Sequence, residues 1–175
     1  MNNHVILVDS NDNKIGVMEK IEAHRKGLLH RAFSVFLFNE EGEMLIHKRA
    51  DVKYHCGGLW TNACCSHPQD EQSIEENIQQ KLMQEMGITC PVEKAFDFVY
   101  RSELENGLTE YEYDHVYIGT FCDAPNPNPD EVSDWKYVSL GQIQRDLENS
   151  PEIFTPWFQL LYSPLAAHLA PGSKV

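Results

Sequence analysis

One segment of this 175-residue chain repeats its apolar residues every four positions: Ile74, Ile78, Leu82 and Met86. That spacing puts all four on one face of a helix. Ser73 with Glu76 three residues on fits a capping box at its start. Gly87 stands where a helix stops. The spacing therefore predicts a helix over 73–86, with one apolar stripe that needs a partner surface.

The flanking segments have a different period. Val5 to Val8 is a short apolar run, followed by the turn-like Asp9-Ser10-Asn11-Asp12. Phe33, Val35 and Leu37 alternate with Ser34 and other residues, as in a strand. Asn39-Glu40-Glu41-Gly42 reads as a hairpin turn, and Met44 to Arg49 as the returning strand. Leu59 to Cys65 reads as a further strand or an extended loop. Beyond the helix, Ala95 to Arg101 and Glu110 to Phe121 read as strands joined through Glu105-Asn106-Gly107. Residues 124–129 form a Pro-rich loop, Trp135 to Leu140 a strand, and 140–168 a mostly helical tail. Strands, helix, strands and helices in that order predict an α+β fold with a mixed sheet. The length predicts one domain over 1–175, with its core over about 28–165.

The net charge of −13 argues against nucleic acid and anionic membranes as partners. It also repels any phosphorylated small molecule, so binding one requires a local cluster of cations or a metal. No apolar run reaches the roughly 18 residues that span a bilayer. Met1-Asn2-Asn3-His4 has neither the basic nor the apolar region of a secretory signal. The five cysteines are odd in number and form no CxxC pair, which points to a reducing compartment and a cytoplasmic protein. Monomer and homodimer both remain open.

Two groups of residues carry candidate chemistry. Glu110 and Glu112 lie two apart on a predicted strand and so share a face, which is good ligand geometry; spacing alone favours acids on an exposed strand face. His24 and His30 fit neither a helical turn nor strand alternation, and must converge through a bend if they share a site. Cys64 and Cys65 are neighbours and face opposite sides of any strand they share. By composition alone, a buried thiol is a structural one.

Ser66-His67-Pro68 and the helix after it resemble the Nudix motif, whose loop–helix–loop presents carboxylates to a metal on a diphosphate. Where that motif carries Gly, Glu, Arg-Glu, an apolar residue, Glu-Glu and Gly, this chain holds Ser66, Gln72, Gln80-Lys81, Leu82, Gln84-Glu85 and Gly87. Most of the motif's acids are absent, so the resemblance implies the Nudix α/β/α sandwich and its mixed sheet, and not hydrolysis. Trp60-Thr61-Asn62-Ala63-Cys64-Cys65-Ser66-His67-Pro68 resembles the Trp-Thr-Asn…Cys…His-Pro segment of the type 1 isopentenyl diphosphate isomerases. His30 to Asn39 is similar to that family's first core strand, Tyr100-Arg101 to its upstream tyrosine, Glu110-Tyr111-Glu112 to its acidic pair, and Phe154-Thr155-Pro156-Trp157 to its C-terminal aromatic motif. The resemblance covers roughly residues 4–160. Cys56-Gly57-Gly58 departs from the bulkier Trp-Pro-Gly of some relatives.

The resemblance implies an isomerase that interconverts isopentenyl and dimethylallyl diphosphate by adding and removing protons. It implies that His24, His30, His67, Glu110 and Glu112 hold one Mn²⁺, Zn²⁺ or Mg²⁺, a donor set such ions accept. Glu85 helps hold a second cation, Mg²⁺, bridging to the prenyl diphosphate. Lys20, Arg49, Lys53 and Lys81 surround that diphosphate. Cys65 and Glu112 form the acid–base pair, Tyr100 hydrogen-bonds Glu112, and Trp157 faces the carbocation. Cys64 then points into the core. Two rivals remain: a Nudix diphosphohydrolase, against which the lost glutamates argue, and a metal- or ligand-binding module, which has no use for an acid–base pair.

Overall fold

The computed structural model describes residues 3–53 and 55–170; Met1 and Asn2 of the leader reading lie outside them, as do 171–175. Its elements are β1 (His4–Val8), β2 (Lys14–Glu19), α1 (Lys20–Lys26), β3 (His30–Phe38), β4 (Met44–Arg49), β5 (Trp60–Thr61), β6 (Cys64–Ser66), α2 (Ile74–Met86), β7 (Val92–Glu103), β8 (Thr109–Thr120), β9 (Val132–Val138), α3 (Leu140–Asn149) and α4 (Pro156–Leu169). The fold is α+β with a mixed sheet.

β3 is the hub of that sheet. It runs antiparallel to β1, β4 and β6 and parallel to β8, where His30 lies opposite Glu112 and Ala32 opposite Asp114. β7 adds to β8, β9 and β5 add to β4, and β2 closes the edge beside β1. Strand alternation sorts the side chains of β3 onto two faces. Phe33, Val35 and Leu37 pack with Cys64, Ile78, Leu82 and Met86 beneath α2. Phe36 packs on the other side with Ile46, Val116, Trp157, Phe158 and Leu161, under α3 and α4. Helices thus cover both faces.

The capping box of α2 is present: Ser73 Oγ accepts the Glu76 N–H at 3.1 Å, and Glu76 Oε2 accepts the Ser73 N–H at 3.0 Å. Ile78, Leu82 and Met86 are fully buried, each contributing about 1.5–3 kcal/mol relative to exposure. Gly87 caps the helix at φ 65°, and a Cβ there would meet the Asn126 carbonyl oxygen at 2.4 Å. Glycine is required both for the left-handed turn and for seating the 124–129 loop on the helix end.

Several expectations shift. The 59–65 segment is two short strands, β5 and β6, rather than one. β9 begins and ends a few residues before the expected 135–140. The helical tail is broken at Ser150-Pro151, where a 3₁₀ turn over Pro151–Ile153 separates α3 from α4. β2 and α1 were absent from the sequence reading. No helix among the described residues is long and apolar enough to cross a membrane.

Candidate active site

The five expected ligands come together. One donor atom from each of His24, His30, His67, Glu110 and Glu112 lies within 4.8 Å of all the others. His24 rides on α1, and Gly27, in the left-handed conformation at φ 59°, turns the chain back so that His30 opens β3 beside it. Their rings end 4.7 Å apart. That helix-end turn is the bend that their spacing demanded. Glu110 and Glu112 project from one face of β8, and His67 follows β6. Both glutamates are buried, at 4% and 8% exposure, so the exposed acidic strand that spacing also allowed is not what forms.

This donor set fits a divalent cation on its own chemistry. His24 Nδ1–H donates to the Lys20 carbonyl at 2.6 Å, and His30 Nδ1–H to the Leu28 carbonyl at 2.8 Å. A neutral ring held this way turns its Nε2 lone pair inward, the arrangement typical of metal-binding histidines. His24 Nε2 then meets Glu110 Oε2 at 3.0 Å, and His67 Nε2 meets Glu112 Oε1 at 2.8 Å. Acceptor atoms brought this close need a shared positive charge. Burial, followed by the Lys20 charge, pushes His67 down to about 3, so its ring is neutral at ordinary pH. Burial opposes the charge on Glu112, but the imidazoles of His30 and His67 beside it override that and hold the carboxyl well below the usual range. Burial and the neighbouring Glu112 raise Glu110.

Across from this cluster lies Cys65. It lines one small cavity together with Glu110 and Glu112, and Trp157, Lys20, Arg49, Lys53, Lys81 and Glu85 also contribute to that cavity. Tyr100 lies opposite Glu112 in the β7–β8 pairing, and its hydroxyl donates to Glu112 Oε2 at 2.6 Å. Trp157 Nε1–H donates to Thr61 Oγ1 at 3.0 Å, and the Arg49 guanidinium sits 5.3 Å from the indole centroid. Burial, then the neighbouring Asp114, pushes the Cys65 thiol up, so it is a thiol and not a thiolate. Cys64, one residue earlier, is wholly buried in the α2-side core.

The basic residues are held at the rim. Lys53 pairs with Glu131, and Lys81 with Glu85 at 3.9 Å. Burial raises Glu85, against four surrounding cations that lower it: Lys81, Lys53, Arg49 and Lys20. The site therefore gathers four cations beside four carboxylates, Glu85, Glu110, Glu112 and Glu131, inside an acidic protein.

Sequence reasoning missed several residues here. His55 packs edge-on to Trp157 at 5.7 Å, with its Nε2 3.9 Å from Glu110 Oε1, and no periodicity marks it. Asp114 had a signal that went unused: Glu110, Glu112 and Asp114 continue one alternation along β8, so all three share a face. Ser34 and Asn62 contact the Cys65 sulfur.

Comparison with known proteins agrees with this geometry. Among solved structures, a Deinococcus radiodurans protein superposes with a TM-score of 0.77 over 92% of this chain and 98% of its own, at 17% identity. A MutT protein from Methanosarcina mazei gives 0.64 over 79% and 93%, at 19% identity. The NUDIX domain family matches residues 28–158. The fold is that of the Nudix proteins. Two curated relatives are more specific. Isopentenyl-diphosphate Delta-isomerase 2 of Photorhabdus laumondii is 46% identical over 166 residues, covering 95% of this chain and 94% of its own. Isopentenyl-diphosphate Delta-isomerase of Pectobacterium atrosepticum is 48% identical over 159 residues, covering 91% and 89%. The chain belongs to the isopentenyl-diphosphate Delta-isomerase family of enzymes, within the Nudix superfamily.

Proposed function

We propose that this enzyme interconverts isopentenyl diphosphate and dimethylallyl diphosphate in isoprenoid synthesis, with Cys65 and Glu112 exchanging protons with the five-carbon chain. The observation that carries the reading is the cavity shared by a half-buried thiol, a tyrosine-bound carboxylate and an indole, with four cations lining it. One member of the pair adds a proton to the terminal carbon of the double bond, giving a tertiary carbocation. The other removes a proton from the adjacent methylene, and the double bond re-forms one position along. One proton enters and one leaves, so substrate and product have the same composition.

Each neighbour has a part in this. Tyr100 hydrogen-bonds Glu112 and holds its protonated or ionised oxygen in place. Trp157 offers its π face to the carbocation, worth roughly 2 kcal/mol or more when water is excluded. The indole also keeps out water that would trap the cation as an alcohol. Lys20, Arg49, Lys53 and Lys81 bind the diphosphate. His24, His30, His67, Glu110 and Glu112 would hold one Mn²⁺, Zn²⁺ or Mg²⁺, and Glu85 a Mg²⁺ beside the diphosphate. When bound, these ions supply the positive charge that ionised Glu110 and Glu112 and the diphosphate require.

The whole chain, 1–175, works as one cytoplasmic domain, as a monomer or homodimer, on a small prenyl diphosphate and without nucleic acid or membrane. The test is a proton NMR spectrum of isopentenyl diphosphate incubated with the protein and Mg²⁺. Signals of dimethylallyl diphosphate are expected. Release of inorganic phosphate instead would make the protein a diphosphohydrolase, and an unchanged spectrum would leave it a binding module.

A further inference from the structure

The active-site face of β3 and β8 is polar beyond the metal cluster. Past His30 and Glu112, the next residues on that face include Asp114 and Ser34, and both are buried, at 0% and 2% exposure. Buried polar groups among Phe36 and Val116 are costly unless their hydrogen bonds are met. Ser34 stands directly opposite Cys65 in the β3–β6 pairing. Its hydroxyl donates to Asp114 Oδ2 at 2.7 Å, and its oxygen lies 3.3 Å from Cys65 Sγ. A serine hydroxyl has one hydrogen, so once that is given to Asp114 it meets the sulfur with a lone pair. Asp114 Oδ1 is buried with no hydrogen-bond partner among the described residues. Among the described residues, the Asp114 side chain has its hydrogen bond with Ser34 alone.

Asn62 approaches the same sulfur from the other side. Its Nδ2 hydrogens go to the Val35 carbonyl at 3.0 Å and the Cys64 carbonyl at 2.9 Å. Both amide hydrogens are used, so its Oδ1 is fixed as an acceptor, and Cys65 Sγ–H donates to it at 3.0 Å. The thiol hydrogen thus has two acceptors and a choice of two directions. Neither acceptor lies among the groups that hold the diphosphate.

We propose that Ser34, fixed by Asp114, is a positioning residue that works with Asn62 to hold the Cys65 thiol and aim its sulfur into the substrate cavity. This rests on the reading that Cys65 exchanges a proton with isopentenyl diphosphate. The geometry gives Ser34 no contact with substrate; it acts through the sulfur, whose placement sets the distance of proton transfer.

The test uses the full-length, metal-loaded protein. Ser34→Ala should lower kcat by about 10²-fold, the scale of a misplaced reacting group, with KM within about threefold because diphosphate binding is untouched. Ser34→Thr, which restores the hydroxyl, should recover most of the loss. Asp114→Leu should match Ser34→Ala, and the double variant should be no worse than either, since both remove one interaction. Asp114→Asn, which still offers an oxygen to Ser34, should remain close to the parent. Raman spectra of the S–H stretch give a readout independent of turnover, with Cys65 isolated by difference against Cys65→Ser. Two acceptors should give a broad or split band in the parent, and Ser34→Ala should reduce it to a single narrower one. An unchanged band, or a Ser34→Ala enzyme with parental kcat, overturns the assignment. If Ser34→Ala does not fold, the kcat and the S–H band of Asp114→Leu decide it in the same way. Absence of turnover in the parent would count against the isomerase reading alone, and the S–H band would still decide the positioning role.

Discussion

Cys64 and Cys65 are adjacent and chemically identical, yet the two faces of the sheet give them opposite surroundings. Cys64 faces α2 among Phe33, Leu82 and Ile78, with apolar packing on every side. Cys65 faces a cavity that holds imidazoles, carboxylates and an indole. Burial raises both thiols, so acidity alone does not separate them. Access does: one sulfur has hydrogen-bond partners and a cavity before it, and the other has hydrocarbon. One face of this sheet is built for cohesion and the other for chemistry, and substitutions should sort by face.

The largest expected effect lies on the chemical face. His67→Ala combined with Glu110→Ala should leave no stoichiometric tightly bound metal by elemental analysis, while the α2 face and its melting transition persist. A full equivalent of metal in that variant would dissolve the distinction. Next come the cysteines in parallel. Cys65→Ala should lose about 10²–10⁴-fold in turnover or more, since alanine neither gives nor takes a proton, and Cys65→Ser should retain a trace. Cys64→Ala should turn over normally and lose only about 1 kcal/mol of stability. The reverse outcome would place the chemistry on the wrong cysteine.

The cohesive face should respond in stability. Leu82→Ala removes a fully buried side chain and should cost about 2–5 kcal/mol in denaturant unfolding, with turnover per folded molecule unchanged. A smaller effect is expected at the cavity rim. Glu85→Gln should raise the Mg²⁺ concentration needed for activity and spare the metal bound by the histidines; an unaltered Mg²⁺ titration would count against that role.

The smallest effect concerns pH. His47 lies on the α2 side of β4 and is almost wholly buried. Burial, then Arg49 and Lys53, pushes it from an ordinary value near 6.5 down to about 3. A group whose folded value is depressed in this way is neutral when folded and takes up a proton on unfolding. Its contribution to stability is therefore complete above about pH 6.5 and is lost as pH falls from 6.5 toward 3. His47→Leu should flatten the acid limb of the stability curve over that window, measured by urea midpoints. An equally steep limb in the variant would assign the acid sensitivity elsewhere.

How much of this was legible depends on period and length. α2 was readable because thirteen residues carry three turns of an apolar stripe with a cap at each end. α1 has seven residues, too few for a stripe to emerge, and it buries His24 and Ala23 rather than a row of aliphatics. β2 turns Ile15 and Val17 outward, at 67% and 44% exposure, so its alternation gives no sign of a core face. Glu110 and Glu112 were legible as a pair by alternation, and the full His/Glu cluster only through family resemblance, since its residues come from α1, β3, β8 and the loop after β6. The 140–168 tail read as mostly helical, and Ser150-Pro151 divides it into the largely polar α3 and the apolar α4. Asp114 was within reach of simple alternation, and its pairing with Ser34 was not, because that contact crosses from β8 to β3.

The family match to the Nudix domain begins at residue 28, and α1 ends before it. Lys20 and His24 therefore stand outside the shared scaffold, on one short helix where the carbonyl of the first accepts the ring N–H of the second. One residue that lines the cavity and one of the His/Glu cluster thus share a helix, on an N-terminal arm that adds β1 and β2 to the edge of the sheet. For protein engineering, the arm is a separate handle on the site: substitutions along one hairpin and one seven-residue helix reach both the cavity and the His/Glu cluster and leave β3 and β8 as they are.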